Sequence, residues 1–318
     1  SMKKFTFILL LILAFTEIAD AQSFYSRRRD RTWMLSYGVG FSTYHGDLHD
    51  VFYDGMQSAL GPSLGVGLRK KFGSQLSLRV DLNWYQIGGS DAENKQGFIS
   101  GRLSNRDDTG DEDDRYIRNL NFRSRNLELS ALAIFNLIPV DGSYTRRPVV
   151  NPYIMLGIGR STNRPKTYLP GEEGNYTVNL WEYQTEEGAP VGSYPKSITV
   201  IPFGIGIRLK ANQYIDILLE GGRRFTFTDY LDDVATYYPS KDEIIEWNGG
   251  VGSPSADVAV QIYDRSVEGG YTARQKGAIR GRENNDAYYI FSIKLEMYLP
   301  DNFLGELFSP SRRKPKFR

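Results

Sequence analysis

From about residue 34 onward the chain repeatedly alternates apolar and polar side chains, the period expected where one face of a β-strand meets an apolar medium. The fullest case lies between Ile198 and Val234. There ITVIPFGIGIRLK, the turn ANQ and YIDILLEGGRRFTFTDYLDDV read as a long hairpin. In its second half Ile215, Ile217, Leu219, Phe225 and Phe227 share one face, and Asp216, Glu220, Gly222, Arg224 and Thr226 share the other. In its first half Ile201, Phe203, Ile205, Ile207 and Leu209 oppose Gly204, Gly206 and Arg208. The same pattern predicts strands over about 34–43, 61–71, 75–86, 124–136, 151–161 and 287–299. Eight strands of about 10 to 13 residues are each long enough to cross a bilayer at a tilt.

The polar face is the narrow one, rich in glycine and paired charges, which is the reverse of a soluble barrel with a water-facing exterior. Connections alternate long and short, with long loops over about 44–60, 88–123, 163–197 and 228–286. The sequence therefore predicts an all-β fold: an eight-stranded antiparallel up-and-down transmembrane β-barrel with long extracellular loops and both termini periplasmic. At eight strands the interior is only wide enough for side chains to fill it. The inward charges Arg69, Arg79, Arg208, Arg224 and Lys294, against Asp81, Glu128, Asp216, Glu220 and Glu296, are expected to pair as a plug, since isolated charges in a closed lumen are costly. Arg223 falls out of phase with this set.

The N-terminus changes the address. Lys3 and Lys4, an apolar stretch from Phe5 to Phe15 and the small-x-small site Ala19-Asp20-Ala21 predict a secretory signal peptide over 1–21, a barrel over 22–299 and a short basic periplasmic tail over 300–318. Composition adds 32 glycines, 21 tyrosines and no cysteine, which excludes disulfides and thiolate metal sites. Mean hydropathy of −0.42 is far too low for a helical membrane protein. The net charge of +1 hides a polarity. Acidic residues prevail in the long loops, while Arg27, Arg28, Arg29, Arg146, Arg147, Arg312, Arg313 and Lys314 make the periplasmic side basic and a candidate partner-binding face. Export makes nucleic acid an improbable partner; the bilayer is the expected one.

Candidate chemistry is sparse. His45 and His49 are four apart beside Asp47 and Asp50, with Gly46 interrupting, a weak metal pattern. The run from Arg106 to Arg115 is acidic but lacks calcium-loop spacing. Asp229, Asp232 and Asp233, just past a strand, could serve acid/base hydrolysis at the rim, although turn hydrogen bonding is their commoner use. No motif calls for a cofactor or metal, and none is expected.

The run FTFTDYLDDVATYY over 225–238, with GVGFSTYHGDL over 38–48, the strand FGIGIRLK and a terminal strand with a short tail, resembles the PorG-like family of outer-membrane barrels of the type IX secretion system of Bacteroidota. The resemblance spans the mature chain, and Asp229, Tyr230, Asp232 and Asp233 match its most distinctive run. It implies a non-enzymatic outer-membrane component. Such a component associates with a periplasmic ring lipoprotein and its partner protein, beside other outer-membrane secretion components, in protein export and gliding. The alternative is a surface receptor or adhesin whose loops 88–123 and 228–286 bind an external ligand.

Overall fold

The computed structural model describes residues 31–49, 59–91, 117–140, 143–170, 175–187, 191, 194–281 and 284–300. Residues 1–21, where a signal peptide is expected, Arg27, Arg28, Arg29, Arg312, Arg313, Lys314 and the acidic run 106–115 lie outside them. Among the described residues ten strands form one antiparallel sheet: β1 (Trp33–His45), β2 (Gly61–Lys71), β3 (Leu76–Ser90), β4 (Asn121–Asn136), β5 (Val150–Thr162), β6 (Pro165–Leu169), β7 (Tyr176–Asn179), β8 (Ser197–Lys210), β9 (Ile215–Thr226) and β10 (Ala287–Leu299). Eight of them, all but β6 and β7, close on themselves through the β3–β4 and β1–β10 ladders into a barrel. These are the eight predicted strands, with ends shifted by a few residues.

The alternation has a physical cause visible on both faces. Outward positions such as Val39, Leu64, Leu129, Ile158 and Ile205 remain 52–65% exposed, forming an apolar belt that only lipid would cover favourably. Inward positions are polar, and glycine makes room among them. A Cβ on Gly206 would lie 2.4 Å from the Tyr153 ring, so the small residue lets the large one fill the lumen. Arg223, out of phase with the lumen, stands on the outer face with its guanidinium over Phe225 (4.7 Å) and Tyr289 (5.8 Å).

Two predicted loops carry structure of their own. Within 163–197, β6 and β7 form a hairpin that continues the sheet beyond β4. Within 228–286 lie two helices, α1 (Lys241–Trp247) and α2 (Pro254–Tyr263). Ser240 and Glu243 form a reciprocal capping box at the start of α1, and Ser253-Pro254 opens α2. Together these segments make a cap. Leu169, Val178, Leu180, Leu231, Val234 and Ile262 from the cap share one buried core with Tyr85, Phe122, Val200, Tyr288 and Ile290 from the barrel mouth. A second small core, Tyr238, Ile244, Ala259 and Tyr263, holds the helices to each other.

Candidate functional site: a filled lumen under a folded cap

The lumen is occupied in three tiers. Nearest the short turns, Arg69 pairs with Glu296 (2.5 Å), and Arg208 lies between Glu296 (3.4 Å) and Asp216 (3.8 Å). At mid-height Arg79 and Lys294 both face Asp81 (2.9 and 3.0 Å), and both also engage Glu220, which accepts a further hydrogen bond from Tyr153 (2.6 Å). Higher still, Arg224 stands 3.5 Å from Glu128, which accepts from Tyr288 (2.7 Å) and Ser130 (3.1 Å). All ten inward charges named from the sequence are buried, and each lies within ion-pair distance of an opposite charge.

Arg147 corrects the sequence reading. Placed there on the basic docking face, it is 4% exposed and turns into the barrel. Its guanidinium pairs with Asp216 (2.6 Å) and donates to the carbonyls of Tyr144 (2.6 Å), Asn212 (2.7 Å) and Gln213 (3.0 Å). Five donors in a rigid fork suit a turn that offers several unpaired carbonyls, so the residue locks two short turns together. The lumen thus holds a sixth cation. Arg146, its neighbour, stays exposed. Below Arg147 the floor is closed by Met34, Tyr144 and Tyr298, with Arg31 over the Tyr144 and Tyr214 rings.

At the other end, the run at 229–233 does structural work. Asp233 sits at φ 70°, a left-handed turn that aspartate tolerates better than most residues. Its carboxylate accepts from Thr185 (2.8 Å) and Tyr194 (2.9 Å), and Asp232 accepts from Val234 N–H (3.0 Å). Tyr230 stacks on Tyr194 with centroids 5.4 Å apart, while Asp229 is half-buried where the cap begins. Neither Asp232 nor Asp233 is presented to solvent, each being 1% exposed, so the rim-hydrolase arrangement is not formed by this pair. His45 and His49 come no closer to a metal centre. Among the described residues no group of three His, Asp or Glu side chains is arranged to hold an ion.

Residues that periodicity does not reveal lock the cap. Arg280 donates to Glu186 (2.6 Å) and to the Asp233 carbonyl (2.6 Å), and Glu186 also accepts from Ala235 N–H (3.1 Å) and Thr236 N–H (3.0 Å). Arg118 pairs with Asp91 (2.7 Å) and donates to the Arg280 carbonyl.

One contact fixes a protonation state. The Tyr44 hydroxyl lies 2.7 Å from an Asp232 oxygen and 2.5 Å from an Asp286 oxygen, while accepting from Asp47 N–H (3.1 Å). A phenol has one proton to give, so the second carboxyl must supply its own. Consistently, burial raises Asp232 and Asp286 well above the ordinary carboxylate range, with Asp47 adding to the first and Asp232 to the second. Burial pushes Asp233 up to about 7, although Arg280 opposes the shift. Groups raised on folding bind protons more tightly in the closed cap than in the opened one. Their stabilisation is therefore complete below about pH 4, where free aspartate titrates, and is lost as pH rises toward 7 and beyond. Hydrogen exchange over 231–238, corrected for intrinsic rates, is expected to report a more protected cap at pH 5.5 than at pH 8. Equal or greater protection at pH 8 would contradict this.

The chain matches no protein-family model, and no curated protein is similar to it in sequence. Among solved structures it is similar to Neisserial surface protein A, at 9% identity and TM-score 0.36, over 84% of this chain and 97% of that one. It is similar to Ail of Yersinia pestis at 8% identity and TM-score 0.36, over 85% and 99%. The outer-membrane enzyme PagL is matched at 9% identity and TM-score 0.31, over 84% and 99%. Likeness at this level carries no functional argument, and the set spans an enzyme as well as surface proteins.

Proposed function

We propose that this chain is a non-enzymatic outer-membrane barrel acting as a sealed anchor, and that it belongs to the type IX protein secretion machinery. In that role it would hold a periplasmic ring lipoprotein and its partner protein at the membrane, beside other outer-membrane secretion components. The observation that supports an anchor over a conduit is the double closure. The lumen is filled by interlocked ion pairs from Asp216 to Glu128, and the mouth is filled by a cap that shares its apolar core. The secretion assignment draws on the family resemblance of the 225–238 run. Arg146 is the exposed member of the basic face among the described residues, and Arg27, Arg28, Arg29, Arg312, Arg313 and Lys314 complete it in sequence.

The test is mass spectrometry of proteins crosslinked to a tagged copy in native outer membranes. Ring lipoproteins should be recovered, and should be lost when these basic residues are reversed to glutamate. Recovery without ring proteins would sink the secretion reading. A surface receptor is the second reading, favoured by a cleft of about 460 Å³ on the cap between Tyr237, Tyr238, Pro239 and Trp247, with Glu243 and Lys276 at its edge. Replacing residues 236–281 by a short linker should spare ring recovery under the first reading and abolish function under the second.

A further inference from the structure

The outer face of the barrel is not uniformly apolar at the long-loop end. On β4 the outward series Leu129, Leu127 continues as Arg125 and Arg123, and on β5 the series Leu156, Ile158 continues as Arg160. Arg164 and Lys166 follow on the chain leading into and through β6, and all five cations are exposed. The β4–β6 ladder sets Arg123 opposite Lys166, and Arg164 stands one residue before the ladder's Ser124–Pro165 pair, on the chain between β5 and β6. Like charges directly opposite across strands are destabilising.

Nothing described relieves the repulsion. Arg123 reaches the Tyr168 hydroxyl (3.3 Å), Arg125 the Gln86 side-chain oxygen (3.1 Å) and Arg160 the Thr199 hydroxyl (3.3 Å). None of the five pairs with a carboxylate among the described residues. At the same end, the outer face of β1 and β10 presents Phe41, Tyr289 and Phe291 instead. These five cations therefore form one sector on β4, β5 and β6, directly continuing the lipid-facing belt, while Arg223 of β9 stands apart from them over Phe225 and Tyr289.

We propose that this sector binds a phosphate-bearing anionic lipid of the leaflet on the long-loop side. Its acyl chains lie along Leu127, Leu129 and Ile158, and its phosphates lie between the opposed cations. An anion there turns the repulsive Arg123–Lys166 pair and the nearby cations into charge-assisted hydrogen bonds, and arginine can grip a phosphate with two parallel donors. The proposal rests on the barrel being membrane-spanning.

The experiment places the full folded chain in phosphatidylcholine nanodiscs containing either diphosphoryl lipid A or its dephosphorylated form. Lipid retained per barrel is counted by native mass spectrometry after exchange into neutral detergent. The wild type should retain the phosphorylated form selectively. Retention should fall about tenfold or more in Arg125→Gln/Arg164→Gln/Lys166→Gln, whose positions are exterior, and stay unchanged in Lys70→Gln/Arg146→Gln near the short turns. Each single replacement should give an intermediate loss. Equal retention by the triple variant, equal retention of the dephosphorylated lipid, or complete displacement by millimolar inorganic phosphate would overturn the proposal. Failure of the chain to insert, read separately as loss of heat-shifted gel migration, would overturn the membrane reading beneath it.

Discussion

Replacing Arg79 by alanine should cost the barrel about 3–5 kcal/mol, the range found when one partner of a buried ion pair is removed. Arg79 is 1% exposed and neutralises two carboxylates at once, at 2.9 Å from Asp81 and through two hydrogen bonds to Glu220. Its loss leaves Lys294 alone between Asp81 and Glu220, both at 3.0 Å. Asp81 and Glu220 are both buried, so the cost is desolvation left uncompensated. The double variant Arg79→Met/Glu220→Gln restores charge balance with similar volume, leaving Lys294 paired with Asp81. It should be more stable than Arg79→Ala. Denaturant unfolding of the lipid-refolded barrel measures both. If the losses of Arg79→Met and Glu220→Gln taken singly simply add up to that of the double variant, the pair does not act as a unit.

The second large effect belongs to the cap. Arg280→Ala should leave the barrel folded while weakening cap closure by about 3–5 kcal/mol, again the cost of orphaning a buried partner. The partner is Glu186, 0% exposed, whose remaining contacts are the Ala235 and Thr236 amides and the Thr236 hydroxyl. Arg280 also holds the carbonyls of Asp233 (2.6 Å) and Tyr263 (3.2 Å), so one side chain ties the start of the cap to the end of α2. Exchange over 231–263 should accelerate by roughly two to nearly four orders of magnitude, while exchange in β1–β5 is unchanged. Arg280→Lys, which keeps the charge but not the fork, should recover only part of the protection. Uniform acceleration across barrel and cap would mean that the two open together.

The strands were legible because two media enforce them. Lipid outside and a packed polar lumen inside leave no freedom in the alternation of, for example, Leu127, Glu128, Leu129 and Ser130. The ten lumen charges followed from the same phase. The cap was not legible by period, since its cores draw on scattered residues such as Leu180, Leu231 and Ile262. Local signals for its helices stood in plain sight at Ser240 with Glu243 and at Ser253-Pro254. Arg147 was misplaced because a turn has no phase. Its neighbour Arg146 points to solvent, while the Asp216 carboxylate and the carbonyls of the facing turn draw Arg147 inward. Arg280, Glu186 and Arg118 lay in loops where charge reads as solvation until the chain is folded.

The central claim is that the barrel is closed twice, by its lumen network and by its cap. Conductance of the purified full chain in planar bilayers tests it most directly. The account predicts no stepwise current for the wild type, and none for Arg280→Ala, because opening the cap leaves the ion-paired lumen in place. Stable ohmic steps from the wild-type barrel would contradict it.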